Sequence, residues 1–338
     1  MVNVALVGFG YWGPNLARNF SNNPECKLSA ICELSPARSK LAKQQHPSCE
    51  IVSDFNELLR KKDIDAVLIA TPVASHFELA KAALNSGKDI LVEKPFTMTV
   101  AEAEELIDIA DKKSRIIAVD HTFLFTGAVR KIKEVVSSGE MGELLYIDSV
   151  RINLGLFQSD VNVIWDLAPH DISIINHLIE ASPVAVTAVG TSHTVNGLEN
   201  IAYVHIEYEG QLIAHLHINW ISPAKIRRML IGGTNKMIVY DDMEFSEKVK
   251  IYDKGIVVRN AKDVNSIHKV IVDYRTGDMI APKLDNREAL SAEVEHFISC
   301  VRDRTKPLAD GNAGLKVVRM LEATQRSIEN NGQRVKII

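Results

Sequence analysis

The sequence predicts an α/β protein of two domains: a doubly wound parallel sheet, then an α+β domain with a large open, mostly antiparallel sheet. Up to about residue 120, short apolar runs alternate with helical periodicity, as in parallel sheets covered by helices. Beyond about residue 142 the runs lengthen and alternate with period two, as in antiparallel sheets. At 338 residues the chain is too long for one core, so we expect domains at 1–120 and 121–338.

The chain opens with an apolar run at residues 2–7 that leads into GFGYWG at residues 8–13. Gly8 permits a tight turn from strand to helix, Gly10 lets the backbone approach a pyrophosphate, and Gly13 lets the helix pack closely on the strand. The pyrophosphate then binds free N–H groups at the helix start. This is the fingerprint of a dinucleotide-binding Rossmann domain, and the predicted cofactor-binding loop residues are Gly8, Phe9, Gly10, Tyr11, Trp12 and Gly13.

The choice between NAD and NADP rests on Glu33, which lies twenty residues after Gly13. An acidic residue at about this spacing binds the ribose hydroxyls of the adenosine half. Its charge would repel the additional phosphate of NADP, so the sequence favours NAD. Ser35 and Arg38 are also side chains that a 2′-phosphate would bind, which keeps NADP open as the less favoured cofactor.

The remaining elements follow from the same periodicities. The further strands predicted in the first domain are 28–32, 66–70, 90–92 and 116–119, and its helices are 15–20, 39–45, 76–85 and 100–113. The strands predicted in the second domain are 143–153, 184–192, 201–208, 211–221 and 228–240, joined by short turns such as Glu209-Gly210. An amphipathic helix begins near Asp166, and helices at 287–303 and 314–330 close the chain.

Two strands of the parallel sheet end in polar segments, where such sheets bind ligands. The candidates for the cofactor site are Thr71, Pro72 and His76 after the strand at 66–70, and Glu93 and Lys94 after the strand at 90–92. Pro95 keeps Lys94 out of the helical backbone region, so the backbone conformation restricts the direction of the ammonium group. Ordinary solvated charges at a strand end are the alternative interpretation.

A second polar group lies in WDLAPHD at residues 165–171, where the amphipathic helix begins. Pro169 is tolerated near a helix start, because the first four N–H groups have no intrahelical partner. Asp166 and His170 are four residues apart and share a helix face. A carboxylate beside an imidazole raises the His pKa and fixes the ring, as a general acid or base requires. The alternative is a carboxylate that stabilises the helix dipole and a His that only packs.

Composition excludes several classes of protein. The net charge of −4, the pI near 6.3 and the lack of a Lys/Arg-rich run argue against a nucleic-acid or anionic-membrane partner. No apolar run approaches the roughly eighteen residues of a membrane-spanning helix, so we expect a cytoplasmic protein. The four cysteines form no CxxC pair, which favours buried free thiols: Cys26, Cys32, Cys49 and Cys300.

Histidines in the second domain raise the question of a metal site. His215 and His217 lie two residues apart and share a strand face. If Glu209-Gly210 forms a two-residue turn, His205 pairs opposite Ala214 and faces away from them. We therefore expect no bound metal.

Together the motifs resemble the Gfo/Idh/MocA family of NAD(P)-dependent sugar oxidoreductases, over the whole chain. The matching segments are GFGYWG at 8–13, Glu33, ATPVASH at 70–76, EKP at 93–95 and WDLAPHD at 165–171. The resemblance implies hydride transfer between a nicotinamide and a carbinol carbon of a sugar or cyclitol. It places Lys94, Asp166 and His170 at the family's catalytic positions, with Glu93 and the Thr71-Pro72 turn lining the nicotinamide ribose.

In the implied reaction His170 accepts the hydroxyl proton, Lys94 stabilises the developing alkoxide, and Asp166 orients His170. A desolvated Lys could also act as the base, so this assignment stays open between Lys94 and His170. Arg151 and Asn153 alternate on one strand and share a face, so they are candidates to bind substrate oxygens or a diphosphate. Ordinary surface residues are the alternative for both.

Within the family, GYWGPNL at 10–16 and WDLAPHD resemble members that act on nucleotide-linked sugars, such as UDP-N-acetylglucosamine or its uronic acid at C3. A dehydrogenase of a free sugar or cyclitol is the alternative substrate class. The alternative from another functional class is a non-catalytic protein that senses NAD and sugar. Such a sensor would be expected to lack part of the catalytic residue set. Where several relatives carry an Arg-Tyr pair, this chain reads HTFLF at 121–125, so those sugar contacts do not carry over.

The second-domain sheet also predicts an oligomer. Its helices look too few to cover about six strands on both sides. One face of the segment 211–220 is apolar and the other is mixed: Leu212, Ala214, Leu216 and Ile218 against Ile213, His215, His217 and Asn219. A mixed face suits a subunit contact. We expect a homodimer through this sheet, or a homotetramer of closed symmetry as in many relatives.

Overall fold

The structure is a computed structural model that describes residues 1–155, 160–194, 197–259 and 271–337. It divides into two compact units, the first formed by Met1–Thr126 and Asn286–Glu322, the second by Gly127–Asp285 and Ala323–Ile338. The division differs from the predicted one in that residues 286–322 belong with the first unit. An NAD-binding domain at 1–120 and a substrate and oligomerisation domain at 121–338 stay a prediction.

The first unit contains a six-stranded, fully parallel sheet. Its strands are β1 (Val2–Val7), β2 (Cys26–Cys32), β3 (Glu50–Val52), β4 (Ala66–Ile69), β5 (Asp89–Val92) and β6 (Ile117–Val119). They lie in the order β3-β2-β1-β4-β5-β6, so the direction of winding reverses between β1 and β4. This confirms the doubly wound sheet, whose ligand crevice lies beyond the carboxyl ends of the strands at that reversal.

Helices are distributed over the whole chain. They are α1 (Gly13–Asn22), α2 (Pro36–Gln45), α3 (Phe55–Arg60), α4 (His76–Asn85), α5 (Val100–Lys113), α6 (Gly127–Ser137), α7 (Val163–Leu178), α8 (Ala289–Asp303) and α9 (Gly311–Glu329). Among the described residues, none of these helices has the length and apolar character needed to cross a bilayer.

The core of the first unit explains why α8 belongs there. Apolar residues of β1, β2 and β4 are buried together with the apolar face of α1. Helix α8 adds Leu290, Val294, Phe297, Ile298 and Val301 to the same core. The Phe20 and Phe297 rings meet edge to face, 6.1 Å apart. Helix α8 therefore covers apolar surface that the first 126 residues leave open.

The second unit contains a nine-stranded sheet. Its strands are β7 (Leu144–Leu154), β8 (Pro183–Thr191), β9 (Ile201–Tyr208), β10 (Ile213–Asn219), β11 (Ile221–Gly233), β12 (Met237–Asp241), β13 (Val249–Tyr252), β16 (Met279–Ile280) and β17 (Val335–Lys336). They lie in the order β16-β13-β12-β11-β7-β10-β9-β8-β17. Only β7 and β10 pair in parallel in this sheet, which confirms its mostly antiparallel character. Strands β14 (Gly255–Arg259) and β15 (Ile271–Arg275) form a separate pair.

Two expectations about this sheet were wrong. The predicted strand at 228–240 is two strands, because the Gly233 N–H bonds the Lys236 carbonyl at 2.9 Å and turns the chain. The turn at Glu209-Gly210 is longer than two residues, since the Tyr208 N–H bonds the Leu212 carbonyl at 3.1 Å. His205 therefore pairs opposite His215 and shares its face, because a shift of one residue moves every side chain across a sheet.

All four cysteines are free and buried, as the sequence predicts. Burial raises the pKa of the Cys26 thiol to about 12 and, as the largest of several causes, raises that of Cys32 to about 11. These thiols are therefore protonated and unreactive near neutral pH.

Candidate active site

The loop between β1 and α1 has the geometry of a pyrophosphate cradle. Gly8 has a φ of +91°, and a Cβ there would lie 2.5 Å from the carbonyl oxygen of Ala70. A Cβ at Gly13 would lie 2.4 Å from the Gly8 carbonyl oxygen, so both positions require glycine. A Cβ at Gly10 would meet only the Arg38 guanidinium, at 3.6 Å, which leaves the space above this residue for a ligand. The loop therefore fits a dinucleotide at the start of α1.

Glu33 holds this loop through hydrogen bonds and also places a carboxylate beside it. Its side chain is buried, with 7% of the residue exposed. Its Oε2 accepts the Phe9 N–H at 2.7 Å, and its Oε1 accepts the Ser35 N–H at 2.8 Å. A carboxylate so held at the end of β2 supports the predicted preference for NAD, which stays a prediction.

His76, at the start of α4, is buried between two backbone segments. Its Nδ1 lies 2.9 Å from the Pro95 carbonyl oxygen, and its Nε2 lies 2.9 Å from the Thr71 carbonyl oxygen. Burial lowers the pKa of this histidine, so the neutral ring donates its one N–H to either carbonyl. His76 thus links the segments after β4 and β5; direct contact of His76, Thr71 or Pro72 with the cofactor stays a prediction.

Lys94 follows β5 in the Glu93-Lys94-Pro95 segment, as the sequence predicts. The peptide bond to Pro95 is cis, and the Lys94 N–H donates to Glu93 Oε2 at 3.2 Å. Lys94 is half-buried, which suits a group that interacts with a ligand while partly desolvated. Its catalytic role stays a prediction.

Three carboxyl groups, two of them on fully buried residues, interact electrostatically at this segment. Asp120, directly after β6, accepts the indole N–H of Trp12 at 2.8 Å and the hydroxyl of Thr122. The other two groups are Glu93, which precedes Lys94, and Glu293, which lies on α8. Burial first, and the charge of Asp120 second, raise the pKa of both glutamates well above the ordinary value. Trp12 of the glycine loop is therefore hydrogen-bonded to one of these three carboxyl groups, Asp120.

Glu293 lies on the buried face of α8 and is absent from the sequence-predicted site. The available signal was a glutamate between apolar positions of an amphipathic helix, with Leu290, Val294 and Phe297 buried around it. A charged residue on a buried face is rare unless it is paired or protonated. Spacing alone gave no indication that it interacts electrostatically with Asp120.

His121 is buried next to the same carboxyl groups. Burial, with a smaller contribution from Lys94, lowers its pKa to about 4, so the ring is neutral near pH 7. Neither ring nitrogen has a hydrogen-bond partner within the described part of the chain. The segment that departs from the Arg-Tyr pattern thus supplies a neutral, buried ring.

In the second unit, α7 begins earlier than predicted. The side chain of Asn162 accepts the N–H groups of Ile164 and Trp165 at 3.1 and 3.2 Å and caps the helix there. Pro169 is therefore inside the helix, and the expectation that it lies in the first turn was wrong. Its missing N–H leaves the Trp165 carbonyl without the usual intrahelical donor.

Asp166 and His170 are half-buried, one turn apart on α7, while residues on the opposite face are buried. The indole N–H of Trp220 donates to Asp166 Oδ2 at 3.1 Å, and the hydroxyl of Ser173 donates to the His170 carbonyl at 2.8 Å. Trp220 is fully buried and was not a predicted site residue. It orients the Asp166 carboxylate, whereas the catalytic roles of Asp166 and His170 stay predictions.

Arg151 forms a buried ion pair with Asp171, and only 4% of the residue is exposed. Its Nε lies 2.6 Å from Asp171 Oδ2, and its Nη2 lies 3.2 Å from Oδ1. The Ser149 hydroxyl donates to the same carboxylate at 2.9 Å. Arg151 thus joins β7 to α7 beside His170, and substrate contact by Arg151 or by half-buried Asn153 stays a prediction.

The sheet face that carries the histidines is partly exposed. His205 Nδ1 lies 3.0 Å from His215 Nε2, and His215 Nδ1 lies 3.3 Å from Asp148 Oδ1. The rings of Tyr203 and His217 stack at 4.5 Å. Within the described ranges, no three His, Cys, Asp or Glu side chains are arranged to hold a metal ion.

Two family models match the chain. An oxidoreductase family with an NAD-binding Rossmann fold matches residues 2–121, and the Gfo/Idh/MocA C-terminal domain matches residues 129–239. The UDP-N-acetylglucosamine 3-dehydrogenase of Acidithiobacillus ferrooxidans is 27% identical over 329 residues, 94% of each chain. Its solved structure matches with a TM-score of 0.82 and 24% identity, covering 98% of this chain and 99% of that one.

A further relative is named for a different substrate, and a further solved structure shares the fold. A scyllo-inositol 2-dehydrogenase (NADP(+)) of Bacillus subtilis is 28% identical over 304 residues, 80% of this chain and 84% of the relative. An oxidoreductase of Agrobacterium radiobacter, solved with NAD+, L-tartaric acid and magnesium, matches in fold at a TM-score of 0.82 and 18% identity, covering 99% and 98% of the chains. Together with the glycine loop, the parallel sheet and the mostly antiparallel sheet described above, these matches show that the chain belongs to the Gfo/Idh/MocA family of NAD-binding oxidoreductases, which act on CH–OH groups.

Proposed function

We propose that the chain transfers hydride between NAD and C3 of a UDP-linked amino sugar, either UDP-N-acetylglucosamine or its uronic acid. The observation that carries this proposal is the similarity to a UDP-N-acetylglucosamine 3-dehydrogenase over 94% of both chains. The match to the scyllo-inositol enzyme covers less of this chain, 80%. A cyclitol or free sugar is the second candidate, favoured by that same match.

The proposed chemistry assigns separate roles to Lys94, His170 and Asp166. NAD, which the glycine loop at residues 8–13 would hold, would supply the acceptor for the hydride that leaves the carbinol carbon. Lys94 stabilises the alkoxide that develops as the hydroxyl loses its proton, because a fixed positive charge favours the transition state. His170 accepts that proton, and Asp166, which Trp220 orients, balances the charge on the imidazolium.

Substrate choice is tested by following NADH formation with UDP-N-acetylglucosamine, its uronic acid, free N-acetylglucosamine and scyllo-inositol. We expect kcat/KM for a UDP-linked sugar to exceed that of the free sugar by at least about 100-fold, because contacts to the diphosphate contribute binding energy to the transition state. Equal rates with scyllo-inositol would instead establish the cyclitol alternative. NAD and sugar binding without turnover of any substrate would establish the sensor alternative.

Cofactor preference depends on Glu33. We expect Glu33→Ser to raise the ratio of kcat/KM with NADP to that with NAD by at least about tenfold, because the carboxylate that repels a 2′-phosphate is removed while Arg38 remains. The measurement is initial rates with both cofactors. A parent enzyme that already prefers NADP would contradict this interpretation of Glu33.

Glu33→Gln serves as the matched control for the anchoring role. The amide oxygen can still accept the Phe9 N–H, so the glycine loop stays held while the charge is lost. Glu33→Gln should therefore shift the preference in the same direction as Glu33→Ser, with a smaller loss of NAD affinity. A shift seen only with Ser would assign the effect to loop disorder.

We also propose that the sheet face opposite α7 binds a second copy of the chain. This face exposes Val189 and Tyr203, at 55% and 53%, next to the ring pairs of His205 and His215 and of Tyr203 and His217. Aromatic and apolar side chains among polar ones are typical of subunit contacts. The proposed assembly is a homodimer, or a homotetramer of closed symmetry, in the cytoplasm.

Light scattering tests this assembly. We expect a particle of twice or four times the 37.5 kDa chain at micromolar concentration. Tyr203→Glu should dissociate it, because the substitution puts a charge at the centre of the contact. Glu209→Lys, on the exposed turn after β9, is the control and should leave the particle unchanged. A monomeric parent protein would overturn the proposal.

A further inference from the structure

We propose that Asp120 is a positioning residue for NAD: through the side chain of Trp12 it holds the α1 end of the glycine loop, so that the backbone N–H groups there are already placed for the pyrophosphate. Its effect on the cofactor is indirect. The inference rests on NAD binding by the first unit and not on the choice of sugar. It adds a residue that lies 108 positions after Trp12 and belongs to none of the motifs named above.

The start of α1 leaves backbone donors for a ligand. Trp12 directly precedes the first helical residue, Gly13, and its side chain makes no capping hydrogen bond to the helix. The N–H groups at a helix start have no intrahelical partner, and Pro14 has no N–H to add. The donors at Trp12 and Gly13 therefore suit the pyrophosphate, and their direction depends on how this end of the loop is held.

The β1 end of the loop is held by residues at the end of β2. The Gly8 N–H donates to the Cys32 carbonyl at 2.9 Å, and the Phe9 N–H donates to Glu33 Oε2 at 2.7 Å. Tyr11, in the middle of the loop, is 83% exposed, so packing does little to fix the chain there. The conformation of the α1 end therefore depends on contacts of its own.

Asp120 supplies such a contact from the end of β6. Trp12 Nε1 donates to Asp120 Oδ2 at 2.8 Å. The acceptor is itself fixed, because Asp120 is buried and its N–H donates to the Val92 carbonyl at 2.8 Å. The hydroxyl of Thr122 donates to the other carboxylate oxygen, Oδ1. Strands β4 and β5 lie between β1 and β6, so this one bond joins the ends of strands three places apart in the sheet.

Glu33 and Asp120 thus hold the loop from opposite sides of β1, because β2 lies on one side of that strand and β6 on the other. A loop held at both ends loses less conformational entropy when the pyrophosphate binds. Without the bond between Trp12 and Asp120, the cofactor itself would have to order the start of α1. We therefore expect loss of this bond to weaken cofactor binding by about tenfold.

A double-mutant cycle on NADH affinity tests the proposal. In isothermal titration calorimetry we expect Trp12→Phe, which keeps an aromatic ring without the N–H donor, to raise the Kd of NADH by about tenfold. Asp120→Leu should raise it to the same extent. Because both substitutions break one bond, the double variant should also show about a tenfold increase, not the roughly hundredfold increase of independent effects. Asp120→Asn should stay within about threefold of the parent, since its amide oxygen still accepts the indole N–H.

A stability control separates positioning from packing. Ile298→Ala, in the apolar core of the same unit, should lower the melting temperature and leave the Kd of NADH unchanged. A parent-like Kd in Trp12→Phe, equal effects of Asn and Leu at position 120, or a double variant whose effect is the product of the single effects would overturn the proposal. The titration needs no sugar, so failure of every sugar to turn over would count against the proposed function alone.

NMR spectroscopy keeps the proposal testable if Asp120→Leu does not fold. The chain contains three tryptophans, so protein made with isotope-labelled tryptophan gives three indole N–H signals, and Trp12→Phe identifies one of them by its loss. In the parent this proton should exchange with water at least about tenfold more slowly than that of free tryptophan, because it is hydrogen-bonded. Its signal should shift when ADP is added, since the diphosphate binds the loop that Trp12 holds. Exchange as fast as in free tryptophan, or a signal that ADP leaves in place, would refute the proposal.

Discussion

Lys94→Met is expected to lower kcat by about 10³-fold or more while NAD affinity stays within about tenfold of the parent value. The ammonium acts on the alkoxide of the transition state, whereas the pyrophosphate binds the glycine loop at the start of α1. Methionine matches the length of the lysine stem, so packing after β5 is retained. Stopped-flow turnover and a fluorescence titration of the cofactor measure the two quantities.

The chain offers a matched control at the other end of the same strand. Lys88 precedes β5 as Lys94 follows it, and its ammonium donates to the Lys61 and Ile64 carbonyls at 2.7 and 2.6 Å. Lys88→Met should lower stability, because one buried and one part-buried carbonyl lose their donor, and leave kcat within about threefold. Parent-like turnover in Lys94→Met, or loss of cofactor binding with it, would refute the catalytic assignment.

His170→Asn is the second substitution with a large expected effect, a decrease in kcat of about 10² to 10⁴-fold. Asparagine keeps a polar side chain of similar size but cannot accept and release a proton near neutral pH. His177→Asn, on the same helix two turns further on, is the control. Burial lowers the pKa of His177, and the residue is not assigned to the site, so kcat should change by less than about threefold.

The pH dependence of these variants identifies the base. If His170 takes the proton, the acidic limb of the kcat profile disappears in His170→Asn, because the group whose deprotonation it reports is gone. If that limb persists in the residual activity, Lys94 is the base. Full activity in His170→Asn would remove this residue from the mechanism altogether.

The fold could be predicted from the sequence where one pattern decides one element. Strands β1, β4 and β5 are mostly apolar on both faces and are followed within two residues by glycine or a polar residue, so their place in a parallel sheet follows from the residues alone. Strand β3 and helix α3 were missed because each is short, with only three and six residues, and carries little periodicity. The register of β9 and β10 was missed because it depends on the length of one turn.

The candidate site could be predicted only in its local parts. The glycine loop, Glu33, Lys94 and the pair Asp166 and His170 each lie in a short motif with its own physical reason. The contacts of Arg151 with Asp171, Trp220 with Asp166, and Trp12 with Asp120 join residues far apart in the chain. Sequence spacing carries no information on such pairs, because the fold alone brings them together.

The return of α8 to the first unit has a consequence for synthesis of the protein. Phe20 and its neighbours on α1 and β1 lack their cover until Phe297 and the rest of α8 have left the ribosome. The nascent first unit therefore exposes apolar surface while the whole second unit is translated, which is the kind of surface that chaperones bind. A stop codon before residue 289 would leave this surface open for good, so a truncated chain should aggregate even though every strand of its parallel sheet is present.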